Sequence, residues 1–389
     1  MIDSIPADLC LVQATDTLHE MARGVTGLQD FGDDEYRAGL AALLHSLDEE
    51  ADLSPLGRKT AIALVVTALA GRLESEAGWK DHPGRGTSSI EAPIVIVGLP
   101  RTGTSVLHKM LARVDSLQGP ELWLLQHPMP RPNRETWPSL VPYRQCEEAL
   151  RIQQENSPDM IEIHDQRADD PDECWNLLRQ SFASVTFECV FHVPSYSAWW
   201  AQRDMTRAYQ RWANNLRLIG ANDQDRRWIL KDPSHLFAPD ALLTAVPDAT
   251  IVMTHRDPAR LIPSVCSLSA SARRVNDRIP DMPRLGREQL DLWARGIERL
   301  MRTRERQPDR FVDIHFHEFL ADPVAVAERI LEHAGVAYTD HDRETALAWL
   351  DSRPSKQHRY DAEQFGLQND EIRERFESYI DCFDIRFEV

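Results

Sequence analysis

The chain has 389 residues with a formal net charge of -18, 42% hydrophobic and 27% charged residues. This composition supports a large folded core and rules out wholesale disorder. An acidic surface argues against a general nucleic-acid binder or a protein held on an anionic membrane, since both need a basic face. It leaves room for a local basic pocket. Only Lys59, Lys80, Lys109, Lys231 and Lys356 are lysines among the 44 basic residues, so a lysine inside a motif is noteworthy.

The N-terminus shows no signal peptide, and no apolar run approaches the 18 residues of a membrane span. The six cysteines form no C-x-x-C pair. Reduced thiols in the cytoplasm are expected, with no disulfide framework and no metal site. Residues 1–89 read as a helical N-terminal region. Leu40, Leu43, Leu44 and Leu47 recur at helical spacing, and Ala61–Leu73 continues the pattern.

The character changes at Pro93-Ile94-Val95-Ile96-Val97, a short β-branched run of the kind that forms a buried parallel strand. Similar runs follow at Trp228–Leu230, Thr250–Thr254 and Phe311–Ile314, each succeeded by a loop and a helical stretch. Alternating strands and helices predict an α/β fold with a parallel sheet flanked by helices. The chain is expected to form a single domain. Residues 90–135 make a phosphate-loop unit, 140–225 a helical insertion on the acceptor side, and 226–389 the remainder of the α/β core.

The strongest signal follows the first strand: Gly98-Leu99-Pro100-Arg101-Thr102-Gly103-Thr104-Ser105, leading into an apolar helix face. A strand, a glycine-bracketed loop and a helix N-terminus form a cradle for a phosphate group. The spacing is that of a nucleoside-triphosphate loop, but Thr104 replaces the lysine that should follow Gly103. The cation of this loop is Arg101, which suits a single terminal phosphate better than a triphosphate. The second signal is Thr254-His255-Arg256-Asp257-Pro258. Asp257 and Pro258 form a helix cap, which sets Arg256 at a strand's carboxyl end, with Ser264 eight residues on. An arginine and a serine so placed can grip one phosphate, although Pro263 threatens to kink the helix that carries the serine.

These residues resemble the sulfotransferases that use 3′-phosphoadenosine 5′-phosphosulfate (PAPS), in particular their bacterial branch. The resemblance spans roughly residues 90–375. It implies that Pro100, Arg101, Thr102, Gly103, Thr104 and Ser105 bind the 5′-phosphosulfate, and that Arg256 and Ser264 bind the 3′-phosphate. It also implies that the basic segment with Lys356, His358 and Arg359 covers the nucleotide, even though the family's glycine is missing there. The expected reaction moves a sulfonate from PAPS to a hydroxyl of a lipid, quinone, glycan or secondary metabolite, releases PAP and needs no metal. Arg101 would neutralise the leaving side and Lys231 would contact the sulfonate. Glu121 is the expected base, with His235 and His127 as rivals. His164 and Glu173 bracket an acidic stretch whose spacing matches no metal site. A nucleotide kinase or an inactive nucleotide-binding scaffold remains the alternative, and a homodimer stays open.

Overall fold

The structure, a computed structural model, describes residues 9–84, 89–156, 166–353 and 361–388. Its first layer is helical: α1 (Thr15–Thr26), α2 (Arg37–Glu49) and α3 (Pro55–Asp81). Ser54 caps α3, its hydroxyl accepting from the Gly57 N–H at 2.9 Å, with Pro55 at the first helical position. The inward residues of these helices, Leu40, Leu43, Leu44 and Leu69 among them, join the main hydrophobic core, so this layer is continuous with the rest of the fold.

Next come β1 (Ile94–Gly98), α4 (Thr104–Leu111), β2 (Leu117–Gln118) and α5 (Leu122–Gln126). The insertion carries α6 (Val141–Asn156), α7 (Trp175–Leu178), α8 (Thr186–Val190), α9 (Pro194–Ala201) and α10 (Thr206–Ile219). The chain then returns to the sheet with β3 (Arg227–Lys231), α11 (Pro239–Ala245), β4 (Thr250–His255), α12 (Pro258–Asn276), α13 (Met282–Arg306) and β5 (Phe311–His315). Short helices α14 (Phe316–Ala321), α15 (Pro323–His333), α16 (Asp340–Asp351), α17 (Asn369–Arg375) and α18 (Glu377–Cys382) complete it.

The sheet is parallel, in the order β2-β3-β1-β4-β5. Every residue of β1 is buried, as its unbroken apolar run requires. Each buried Ile or Val of that run contributes roughly 1.5–3 kcal/mol of burial. The two-residue β2 has no apolar run of its own and is not visible in the sequence. It becomes a strand because Leu117 and Gln118 pair with Arg227 and Trp228. The chain leaves β1 toward β2 on one side and leaves β4 toward β5 on the other. The carboxyl ends of β1 and β4 therefore flank a topological switch point, where open α/β sheets bind ligands.

Candidate active site

The loop after β1 occupies that switch point. Gly98 has φ of 150°, and a Cβ there would sit 2.2 Å from Thr254 Oγ1 on β4, so only glycine fits. Arg101 adopts φ of 73°, a left-handed conformation uncommon for a residue with a side chain, and Gly103 has φ of 86°. Such a turn holds about 1–3 kcal/mol of strain at the arginine. It is stapled by the Thr102 hydroxyl, which donates to Leu99 O at 2.8 Å and lies 2.6 Å from Thr254 Oγ1. Thr102 thus spends its hydroxyl on the loop. Thr104 and Ser105 stand in the first turn of α4, as the motif requires.

The second motif meets this loop directly. Asp257 caps α12 through the Ala259 N–H at 3.0 Å, with Pro258 at the first position. Arg256 Nη1 donates to Arg101 O at 3.1 Å, and Arg101 Nε donates to Ser264 Oγ at 3.1 Å. Arg101, Arg256 and Ser264 therefore converge, although 163 residues separate Arg101 from Ser264. Pro263 lies within α12 and the helix continues through it, so Ser264 stays on the buried face. Arg256 is stacked over Phe316 with its guanidinium carbon 4.1 Å from the ring centroid. Its Nε and Nη2 grip the Glu388 carboxylate at 2.7 and 2.8 Å. The Glu388 N–H in turn donates to Asp257 Oδ2 at 3.0 Å.

Lys231 ends β3 and is 2% exposed. Its Nζ donates to Ser105 Oγ at 3.0 Å and pairs with Glu173 Oε1. Glu173 is brought there by the backbone: the Cys174 N–H donates to Lys231 O at 3.3 Å, laying the segment before α7 along the end of β3. Sequence reasoning placed Glu173 in an acidic stretch and missed this role. Its only signal was the rarity of lysine, which marked the partner. Beside it, Asp232 is fully buried, with Oδ1 accepting from the Ser234 N–H at 2.7 Å and Oδ2 without a hydrogen-bond partner. Burial and then the Glu173 charge push its carboxyl well above the usual range.

The other candidate bases are engaged by other partners. Glu121 pairs with Arg131, whose Nε donates to its Oε2 at 3.0 Å. It lines a polar cleft of about 300 Å³ together with Arg113, Arg134, Asp169 and Asp170. Burial raises its carboxyl and the Arg131 charge opposes the rise. His235 is completely buried, its Nδ1 2.7 Å from the Tyr209 hydroxyl, and burial pushes its pKa down to about 3. His127 Nδ1 is held 3.0 Å from the Glu74 carboxylate. Lys356, His358, Arg359 and His164 lie outside the described residues. Among the described residues, no group of three or more His, Cys, Asp or Glu is placed to hold a metal ion, and no helix is long and apolar enough to cross a membrane.

A sulfotransferase family model matches residues 93–340, a span that holds the phosphate loop, the Lys231 strand end and the Arg256 motif. The chain belongs to the sulfotransferase family. Among solved members of that family, sulfotransferase STF1 from Mycobacterium tuberculosis superposes with a TM-score of 0.87 at 37% identity, over 95% of this chain and 100% of that one. Sulfotransferase STF9 from Mycobacterium avium superposes with a TM-score of 0.87 at 25% identity, over 99% and 100%. The omega-hydroxy-beta-dihydromenaquinone-9 sulfotransferases Stf3 of Mycobacterium bovis and M. tuberculosis are 25% identical over 252 residues. That match spans 63% of this chain and 63% of the relatives' length. The span matched by the family model contains all five strands of the sheet.

Proposed function

We propose that the protein transfers a sulfonate group from PAPS to a hydroxyl of an organic acceptor, and that Glu173 is the base. The observation that carries this reading is the contact of Lys231 with both Ser105 of the phosphate loop and Glu173. One lysine thus joins an anion-binding loop to a carboxylate, which is the juxtaposition sulfuryl transfer needs.

The donor fits the residues present. The Gly98–Ser105 loop and the start of α4 would hold the 5′-phosphosulfate through backbone N–H groups and the Thr104 and Ser105 hydroxyls. Arg256 and Ser264 would hold the 3′-phosphate, with Arg101 between the two ends. The donor supplies an activated S–O bond to a phosphate leaving group. Glu173 takes the proton of the acceptor hydroxyl as the acceptor oxygen bonds to sulfur and the S–O bond to the 5′-phosphate breaks. PAP leaves and the proton stays on Glu173. Lys231 and Arg101 stabilise the charge that spreads onto the sulfonate and the departing phosphate.

Glu121 fits the base less well than Glu173, because it is held by Arg131 and, among the described residues, forms no ion pair with Lys231. His235 is buried and, with its pKa pushed down to about 3, is too weak a base to take the acceptor's proton near neutral pH. The acceptor is a small molecule or lipid, a reading supported by the omega-hydroxy-beta-dihydromenaquinone-9 named for the Stf3 relatives. The six free thiols support a reducing compartment, the cytoplasm.

The test is thermal stabilisation by PAP without metal, compared with ATP plus magnesium. A rise with PAP that is lost in Arg256→Ala is expected. A rise with magnesium-ATP alone would overturn the donor assignment in favour of a nucleotide kinase.

A further inference from the structure

The short helix α7 starts two residues after Glu173, and Arg179 follows its last residue. Arg179 is 4% exposed. Its guanidinium folds back toward the start of α7, as helical side chains lean. It lies 4.9 Å from the Trp175 ring centroid and donates from Nη2 to Asn176 Oδ1 at 3.2 Å. Among the described residues, no Asp or Glu forms an ion pair with it. Buried charges in proteins are ordinarily paired. The other buried arginines follow that rule: Arg72 meets Asp33, Arg131 meets Glu121, Arg211 meets Glu76 and Arg273 meets Asp277.

Two further atoms sharpen the anomaly. Arg179 Nε and Asn176 Nδ2 are both buried donors without an acceptor. Flipping the Asn176 amide brings no relief, because its oxygen is already committed to a guanidinium that can only donate. The groups left over at the site are thus donors, they stand beside one positive charge, and Asn176 follows Glu173 closely in the chain. Burial by itself pulls the Arg179 pKa down to about 10, with no neighbouring charge opposing the shift.

We infer that Arg179 and Asn176 bind a carboxylate of the acceptor, so that the substrate is a hydroxylated organic acid whose anionic end docks beneath Trp175. A carboxylate offers two oxygens to the Nε and Nδ2 donors and supplies the missing charge. This inference rests on the sulfotransferase reading for its link to the acceptor, but its binding step is measurable alone.

The experiment uses the full chain saturated with PAP, so that the phosphate loop is filled. Benzoate and hexanoate are compared with benzamide and hexanamide at equal concentration and ionic strength, with phenylphosphonate as a second anion. A melting-temperature rise of about 2–4 °C with the carboxylates, absent with the amides, is expected. Arg179→Met should abolish that difference and Arg179→Lys should keep part of it. Without ligand, Arg179→Met should melt no lower than the parent, because it removes an uncompensated buried charge. In turnover, hydroxy acids should exceed their methyl esters in kcat/KM by about tenfold or more, with the ratio near unity in Arg179→Met. Equal responses to acid and amide in the parent protein would overturn the inference even if the variants fail to fold. A larger response to phenylphosphonate than to benzoate would overturn the carboxylate assignment in favour of a phosphorylated acceptor. The two failures separate: loss of the PAP response sinks the donor assignment, whereas a normal PAP response without acid selectivity sinks only this inference.

Discussion

Glu388 and Arg256 form a two-point ion pair, Nε and Nη2 each meeting one carboxylate oxygen at 2.7 and 2.8 Å. The same guanidinium is the proposed clamp for the donor's 3′-phosphate. A carboxylate on that fork competes with a phosphate for the same donors. Both side chains are partly open to solvent, so the pair is worth a modest amount, about 0.5–1 kcal/mol. Glu388→Gln is therefore expected to tighten PAP binding about 2–5-fold. Arg256→Ala should weaken it by roughly 30-fold or more. Calorimetric titration at fixed ionic strength checks both, and weaker binding in Glu388→Gln would show that the contact supports the site.

Glu173 and Glu121 are separable by kinetics. Removing a general base costs roughly 10²–10⁴ in rate. Glu173→Gln should lose at least 100-fold in kcat while PAP affinity changes little. Glu121→Gln should keep activity within a few-fold, because its partner Arg131 also bonds to Gln118, Asp223 and Gly119. Sulfonate transfer across a panel of phenols and alcohols reads both variants. The reverse ranking would move the base to Glu121.

Glu188 makes stability depend on pH. Burial pushes its carboxyl up to about 7 from an ordinary 4.5, with Oε1 3.7 Å from Arg295. The folded state thus holds a proton that the unfolded chain gives up near pH 4.5. Stability is lost as pH rises from about 4.5 and the loss is complete above about 7, on the order of 3 kcal/mol. Glu188→Gln should remove that slope and unfold at higher denaturant than the parent at pH 8. Paired denaturant titrations at pH 4.5 and 8 test this. Identical pH slopes in both proteins would show that Glu188 ionises normally.

The glycine at the end of β1 is a steric requirement. Gly98→Ala places a Cβ 2.2 Å from Thr254 Oγ1 and 2.9 Å from Thr254 O, costing about 1–3 kcal/mol and reshaping the phosphate loop. Gly84→Ala, where a Cβ meets nothing within 4 Å, should change stability by about 0.5 kcal/mol or less. Thermal melts with and without PAP compare the two. Unchanged PAP binding in Gly98→Ala would mean the loop tolerates the displacement.

What could be read from the sequence were the features that short-range chemistry dictates. The apolar runs marked β1, β3, β4 and β5, because a strand covered on both faces must be apolar throughout. The Gly98–Ser105 loop and the Asp257-Pro258 cap were legible because glycine, proline and capping side chains act on their immediate neighbours. The missing strand, β2, has two residues and no pattern, and exists only through its pairing with β3.

The carboxylates were not legible in the same way. Glu121, Glu173 and Glu388 are chemically alike in sequence. Which one meets Lys231, which meets Arg131 and which meets Arg256 depends on segments far apart along the chain. The same holds for Arg179, one of many arginines, set apart only by having no acid beside it after the helices close around it. The sequence by itself determined the α/β sheet and the anion-binding loop, since each rests on patterns within a few residues. Only the tertiary structure decided which charges are paired and which are left over. Coulomb and desolvation energies depend on distance and burial in space, and neither is encoded locally.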